Sequence, residues 1–116
     1  MLDKGAVFLG AFVGDELAGC VAVEPSPNRE GVFYLEKLAV LPAHRHRSLG
    51  VRLTQEASAH CRARGGRLVS IALIDAHEVL KEWYVEQGFT WVRAESFPHL
   101  PFRVCFMEKN LGQQLL

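Results

Sequence analysis

Residues 34–54, Tyr34-Leu-Glu-Lys-Leu-Ala-Val-Leu-Pro-Ala-His-Arg-His-Arg-Ser-Leu-Gly-Val-Arg-Leu-Thr54, leave little choice of fold. Up to Leu41 the run is aliphatic, aromatic and β-branched with few charges, which suits a central strand. Pro42 has no N–H to donate and ends the ladder. Arg45-His-Arg-Ser-Leu-Gly50 follows as a basic turn with two small residues, Ser48 and Gly50. Beyond it Leu49, Leu53, Ala57 and Cys61 recur at helical spacing and mark one apolar stripe. The stretch reads as strand, basic turn, helix.

A helix start behind such a turn attracts anions. Its first N–H groups lack internal partners, and the helix dipole adds partial positive charge. Small residues admit a phosphate close to the backbone, and arginines add charge-assisted hydrogen bonds. On these residues alone an ordinary βα turn with solvated arginines is an equal reading. The spacing Arg45-x-x-Ser48-x-Gly50 resembles the Arg/Gln-x-x-Gly-x-Gly/Ala acetyl-CoA signature of the GNAT N-acetyltransferases. Ser48 stands where that signature has its first glycine, and serine tolerates a positive φ poorly.

Length and composition bound the rest. The 116 residues read as one domain, 1–116, with 49% hydrophobic content and zero net charge, a globular composition. The balance of charge argues against a nucleic-acid partner, although Arg45, Arg47, Arg52, Arg62, Arg64 and Arg67 crowd one stretch without interleaved aromatics. Cys20, Cys61 and Cys105 are odd in number, widely spaced and in apolar settings, so neither a disulfide framework nor a metal site is expected. A reducing cytoplasm is the natural compartment. Met1-Leu-Asp-Lys precedes no uninterrupted apolar run, so neither a signal peptide nor a membrane span is expected.

In chain order, Ala6–Val13 and Leu17–Glu24 read as two strands of a hairpin about Gly14-Asp-Glu, followed by a proline-rich loop to Gly31. The central strand covers about 32–41, and its helix runs to about Arg64, where Gly65-Gly66 stops it. Arg67–Ile74 has the few polar residues of a strand covered on both faces. His77–Gln87 reads as a helix with Val79, Leu80, Trp83 and Tyr84 on its apolar side, capped by Gly88. Strands at Phe89–Ala94 and Phe102–Met107 flank a proline-bounded loop. The expectation is an α/β (α+β) fold: one mixed, mostly antiparallel sheet flanked by helices.

Glu36-Lys-Leu-Ala-Val-Leu-Pro, Val79-Leu-Lys-Glu-Trp-Tyr-x-x-x-Gly-Phe89 and Phe97-Pro-His-Leu-Pro-Phe102 extend the GNAT resemblance over about residues 7–109. The resemblance implies a sheet splayed at an acetyl-CoA site. Leu38, Ala39 and Val40 would pair with the pantetheine. The turn Arg45, His46, Arg47, Ser48, Leu49 and Gly50 would hold the diphosphate. His77 falls where the family often has a cofactor-side asparagine, and a helix N-cap or surface position is an equal reading. Arg52 reads as a solvated helix position, and His44, His46, His60 and His99 as surface residues.

The activity so implied is acetyl transfer to a primary amine of a small molecule or peptide by direct attack in a ternary complex. Such a reaction needs an oriented thioester, an uncharged amine, and a proton for the leaving thiolate. Tyr84 matches the family's acid, since a phenol is protonated at neutral pH; as a bare residue it reads as a core aromatic beside Trp83. Glu36 is the base of choice, with Glu24 and Asp75 as rivals. By strict alternation it shares a face with Tyr34, Leu38 and Val40. Members of the family usually place a strand and two helices ahead of the first hairpin, whereas this chain reaches its hairpin within about six residues. A shortened chain or a cover supplied by a partner follows, and with it the expectation of a homodimer. The alternative function is a catalytically idle CoA-binding module or partner subunit.

Overall fold

A computed structural model of the protein describes residues 5–45 and 48–112. Strands β1 (Val7–Val13), β2 (Glu16–Pro25) and β3 (Val32–Val40) lead through a 3₁₀ turn, Pro42–His44, into helix α1 (Leu49–Ala63). Then come β4 (Leu68–Ile74), helix α2 (Glu78–Glu86), β5 (Thr90–Ser96) and β6 (Arg103–Asn110). The strands form a single six-stranded sheet in the order β1-β2-β3-β4-β6-β5. Among the described residues only the β3–β4 pair runs parallel. Mixed α+β architecture, mostly antiparallel, is as the residue pattern anticipates.

Both helices cover the same face of the sheet. That face carries Val21 and Val23 of β2, Phe33 and Leu35 of β3, Val69 and Ile71 of β4, and Cys105 and Met107 of β6. Leu53, Ala57 and Cys61 of α1 pack there, with Tyr84 of α2 and Phe89 just beyond it, in one continuous core. Glycine ends each helix. Gly66 N–H reaches back to Cys61 C=O (2.8 Å), and Phe89 N–H to Tyr84 C=O (3.0 Å), with Gly65 and Gly88 at positive φ.

Three expectations need correction. Val79 is 75% exposed; α2 buries instead the stripe of Leu80, Trp83, Tyr84 and Gln87, one residue further round. β4 is covered on both faces only through Val69, Ser70 and Ile71, while Ala72 and Ile74 are exposed where the strand leaves β3. Strict alternation also fails in β3. Cys20 pairs with Ala39 and Ala22 with Glu36, so Val21 faces two residues, Lys37 and Leu38, across a bulge. Lys37 takes φ +56° to absorb the extra residue. Leu38 and Val40 thereby turn onto the helix-covered core beside Phe33 and Leu35, whereas Tyr34 and Glu36 point to the opposite, open face.

Gly88 sits at φ +98°, a region L-residues avoid. Gly88→Ala is expected to destabilise the protein by roughly 1–2 kcal/mol, lowering the melting temperature by about 4–10 °C. An unchanged thermal melt would show that α2 ends without depending on this conformation.

Candidate active site

β3 and β4 pair at three positions, Val32 with Leu68, Phe33 with Val69 and Tyr34 with Ser70, and then part. Both strands continue beyond the last pair, β3 to Val40 and β4 to Ile74. The parting leaves a gap walled by two strand edges whose polar groups are unpaired across it. Which residues line it follows from the ladder to β2. Leu41 N–H donates to Ala18 C=O (2.8 Å), so the alternating pattern turns Val40 and Leu38 toward the gap and Ala39 toward β2. Two further contacts agree with that assignment. The Ala39 carbonyl lies against Gly19 of β2, and the Val40 carbonyl accepts from Arg45 Nε (3.1 Å).

Of the basic turn, Arg45 and Ser48 to Gly50 are described, and Arg45 is tied to the end of β3 by its bond to Val40. His46 and Arg47 lie outside the described residues. Ser48 sits at φ +61°, ψ +20°, the left-handed conformation that a glycine would adopt without strain. In that conformation it is the N-cap of α1 but makes no side-chain cap, because capping from this position requires extended backbone. The helix ladder opens with Arg52 N–H to Ser48 C=O (3.0 Å). Ahead of it the amides of Leu49, Gly50 and Val51 have no acceptor among the described residues. Gly50 serves close packing: an added Cβ would stand 3.3 Å from the Trp83 ring, so α1 and α2 meet at this glycine. Arg52 lies on the other side of α1, lining a cavity of about 610 Å³ against β1 with Leu9 and Phe12.

Tyr84 is buried on α2, edge-on to Trp83 (5.0 Å) and Phe89 (5.3 Å). Its hydroxyl makes no hydrogen bond among the described residues yet is not sealed from solvent. Burial holds the phenol above its ordinary pKa of 10.0, so it is a neutral donor at physiological pH. Glu36 is half-buried on the open face, on the other side of the sheet from Tyr84. Asp75 is engaged by Lys81 Nζ (2.8 Å) and lies 3.8 Å from Arg103 Nε. The hydrogen bond from Lys81 to that carboxylate also raises the lysine pKa. His77 is the N-cap of α2, its Nδ1 accepting from Leu80 N–H (3.2 Å). Cys61 is fully buried, its thiol pushed up to about 11, and is inert. No cluster of metal-ligating side chains occurs among the described residues.

Several features here carry no sequence signal. The bulge at Lys37 is one, since lysine gives no cue to a positive φ. Phe97, in the proline-bounded loop, packs edge-on to Phe106 (6.3 Å) and brings that loop over the open face, where Phe106 pairs with Ala72 beside the gap. His44, which reads as a surface histidine, is only 8% exposed, and its Nε2 lies 2.8 Å from Glu16 Oε1. Its Nδ1 is buried without a partner among the described residues, at a cost of about 1–3 kcal/mol.

Against known proteins, the family model described as "Acetyltransferase (GNAT) family" matches residues 1–89. A Xenopus tropicalis protein named probable N-acetyltransferase camello is 25% identical over 96% of this chain and 53% of its own length. The chain thus spans about half of that curated relative. A GNAT-family crystal structure from Desulfovibrio desulfuricans superposes with a TM-score of 0.86 at 25% identity, over 93% of this chain and 70% of that one. A Bacillus anthracis structure solved with acetyl coenzyme A gives 0.82 at 12% identity, over 93% and 64%. At that identity the likeness speaks for the fold alone.

Ser48 supplies a two-signed test. Ser48→Gly relieves the left-handed strain and is expected to raise the melting temperature by a few degrees, offset in part by glycine's greater unfolded-state entropy. Ser48→Val puts a β-branched side chain at positive φ and is expected to lower it by more. Equal melts for the two variants would exclude the left-handed conformation at this position.

Proposed function

Because the chain belongs to the GNAT acetyltransferase family, we propose that it is an acetyl-CoA-dependent N-acetyltransferase acting on a primary amine of a small molecule or peptide. The observation that supports this most is the gap that opens after the Tyr34–Ser70 pair, with α1 beyond it, whose first amides have no acceptor among the described residues. When bound, acetyl-CoA supplies an activated acetyl thioester and a thiolate that leaves readily. The residues present fit such a molecule. Leu38 and Val40 turn backbone donors and acceptors into the gap, as an amide-containing pantetheine arm requires. Leu49, Gly50 and Val51 offer N–H groups for a diphosphate, with Ser48 shaping the turn and Arg45 adding positive charge. His46 and Arg47 complete the turn in sequence. His77, already capping α2, has only its other ring nitrogen to offer.

Tyr84 is the proton donor for the leaving sulfur: it is neutral, and its hydroxyl is unpartnered. Glu36 accepts the proton of the incoming amine on the open face. The two lie on opposite sides of the parted sheet, so donor and acceptor reach each other through it by direct attack in a ternary complex. Orientation of this kind is worth up to roughly 7–11 kcal/mol, and the acid a further 10²–10⁴-fold, as typical magnitudes. Asp75, held by Lys81 and Arg103, is the poorer base.

We also read the protein as a cytoplasmic homodimer without a nucleic-acid partner. No described helix is long and apolar enough to cross a membrane. Phe12 (65% exposed), Leu17 (48%) and Phe8 (47%) lie uncovered at the β1–β2 end of the sheet, where a second copy would shield them.

Acetyl-CoA at about 100 times its Kd is expected to raise the melting temperature by about 10 °C, with ATP as the inert control. The absence of a shift would remove the cofactor site. Binding without turnover on any amine would leave an idle CoA-binding module or partner subunit. Tyr84→Phe is expected to lower kcat by about 10²–10⁴-fold with the acetyl-CoA KM unchanged. Since burial raises the Tyr84 pKa, its donor is present below pH 10.0 and is lost only as pH rises above that value. An alkaline limb that falls below pH 9 and disappears in Tyr84→Phe would contradict the assigned environment. Light scattering at micromolar concentration is expected to give twice the monomer mass; a clean monomer rejects the homodimer.

A further inference from the structure

Between the end of β3 and the basic turn the chain runs through Leu41, Pro42, Ala43 and His44, and two contacts reach across from β2 to hold it. Leu41 N–H donates to Ala18 C=O, and the His44 ring meets the Glu16 carboxylate at 2.8 Å. Glu16 and Ala18 are two residues apart near the start of β2, so the second contact continues the first beyond the end of the sheet ladder. Locally the 3₁₀ turn makes the segment compact: His44 N–H donates to Leu41 C=O (2.9 Å) and Arg45 N–H to Pro42 C=O (3.3 Å). Pro42 contributes no donor of its own.

We infer that the Glu16–His44 contact is the anchor that sets the position of Arg45, at the entry to the basic turn, which makes His44 a positioning residue for acetyl-CoA. This rests on the cofactor reading given above. The geometry is that of a fixed hinge pin. The imidazole side chain is 10% exposed, so its rotamer is held by packing, whereas the Glu16 side chain is 63% exposed and reaches in to it. The carboxylate can only accept, so Nε2 carries the proton between them. That leaves Nδ1 as a buried nitrogen with no partner among the described residues. An apolar residue would fill the same space without that orphan, so the ring is there for what Nε2 does. Arg45 follows directly, with Ser48 and the open amides of α1 within the next seven residues. A shift of His44 moves Arg45 directly, and Arg45 Nε holds the Val40 carbonyl at the border of the gap (3.1 Å). The pair thus joins the hairpin turn at Gly14–Asp15 to the diphosphate end of the gap.

The test is isothermal titration of acetyl-CoA into the full chain, with steady-state kinetics alongside. Wild type is expected to bind. His44→Phe keeps the bulk and removes the hydrogen bond, and is expected to weaken binding about tenfold or more. The effect falls on the acetyl-CoA KM, with kcat at saturation and the ligand-free melting temperature close to wild type. Glu16→Ala should lose as much, Glu16→Gln should be restored to within about threefold because its amide oxygen still accepts, and the double variant should be no worse than either single one. Should His44→Phe fail to fold, Glu16→Ala and Glu16→Gln, at an exposed side chain, carry the test alone. Wild-type affinity in Glu16→Ala, equal losses in Glu16→Ala and Glu16→Gln, additive losses in the double variant, or a fall in kcat at unchanged KM would each overturn the anchor. A wild-type chain that does not bind acetyl-CoA overturns the cofactor reading instead, an outcome separate from these.

Discussion

A backbone amide or carbonyl taken out of a ladder must find another partner, and in this protein that demand is concentrated where β3 and β4 part. The strands come together at their beginnings: Arg67 and Leu68 both donate to the Gly31 carbonyl, and pairing ends with Tyr34 and Ser70. From there the two edges diverge, and α1 starts beyond the end of β3. A helix start beyond the carboxyl ends of parallel strands is the place where open sheets of this kind take ligands. The covered face supplies rigidity from the core of α1 and α2, and the open face supplies access.

Strain gathers at the borders of that gap. Among the described residues, the non-glycine positions at positive φ are Lys37, in the wall formed by β3, and Ser48, in the turn at its end. Each costs on the order of 1–2 kcal/mol, to be set against a typical net stability of roughly 5–15 kcal/mol for a domain. Both conformations persist because the packing around them is specific: Leu38 and Val40 are pulled onto the core past the bulge, and Gly50 is held against Trp83. Backbone strain of this kind collects where a chain must present polar groups in a fixed arrangement.

Much of this was legible in the residues. The element order, both glycine helix stops, the strand–turn–helix about Pro42 and the mixed sheet follow from local pattern, because turn chemistry and periodicity act over short distances. The resemblance of Arg45-x-x-Ser48-x-Gly50 and of the Tyr84 to Phe89 block named the family to which the chain belongs. What escaped depends on neighbours distant in sequence. Val79 looks as apolar as Leu80, and only the orientation of α2 on the sheet decides between them. His44 looks like any surface histidine until Glu16, 28 residues earlier, is folded against it. A single bulge at Lys37 defeats alternation for every later residue of β3, and nothing in the lysine side chain announces it. The candidate site residues were therefore found by motif, while their facing directions came from the structure.

The bulge also separates two jobs that one strand would otherwise have to share. Before it, Tyr34 and Glu36 face the side opposite the helices; after it, Leu38 and Val40 hold the core with their side chains and the gap with their backbones. Side-chain substitutions at 34 and 36 thus change the surface of the open face without disturbing the backbone register at 38 and 40. The extra residue makes the two parts of the strand separable: which face a side chain takes before the bulge no longer dictates which face it takes after it.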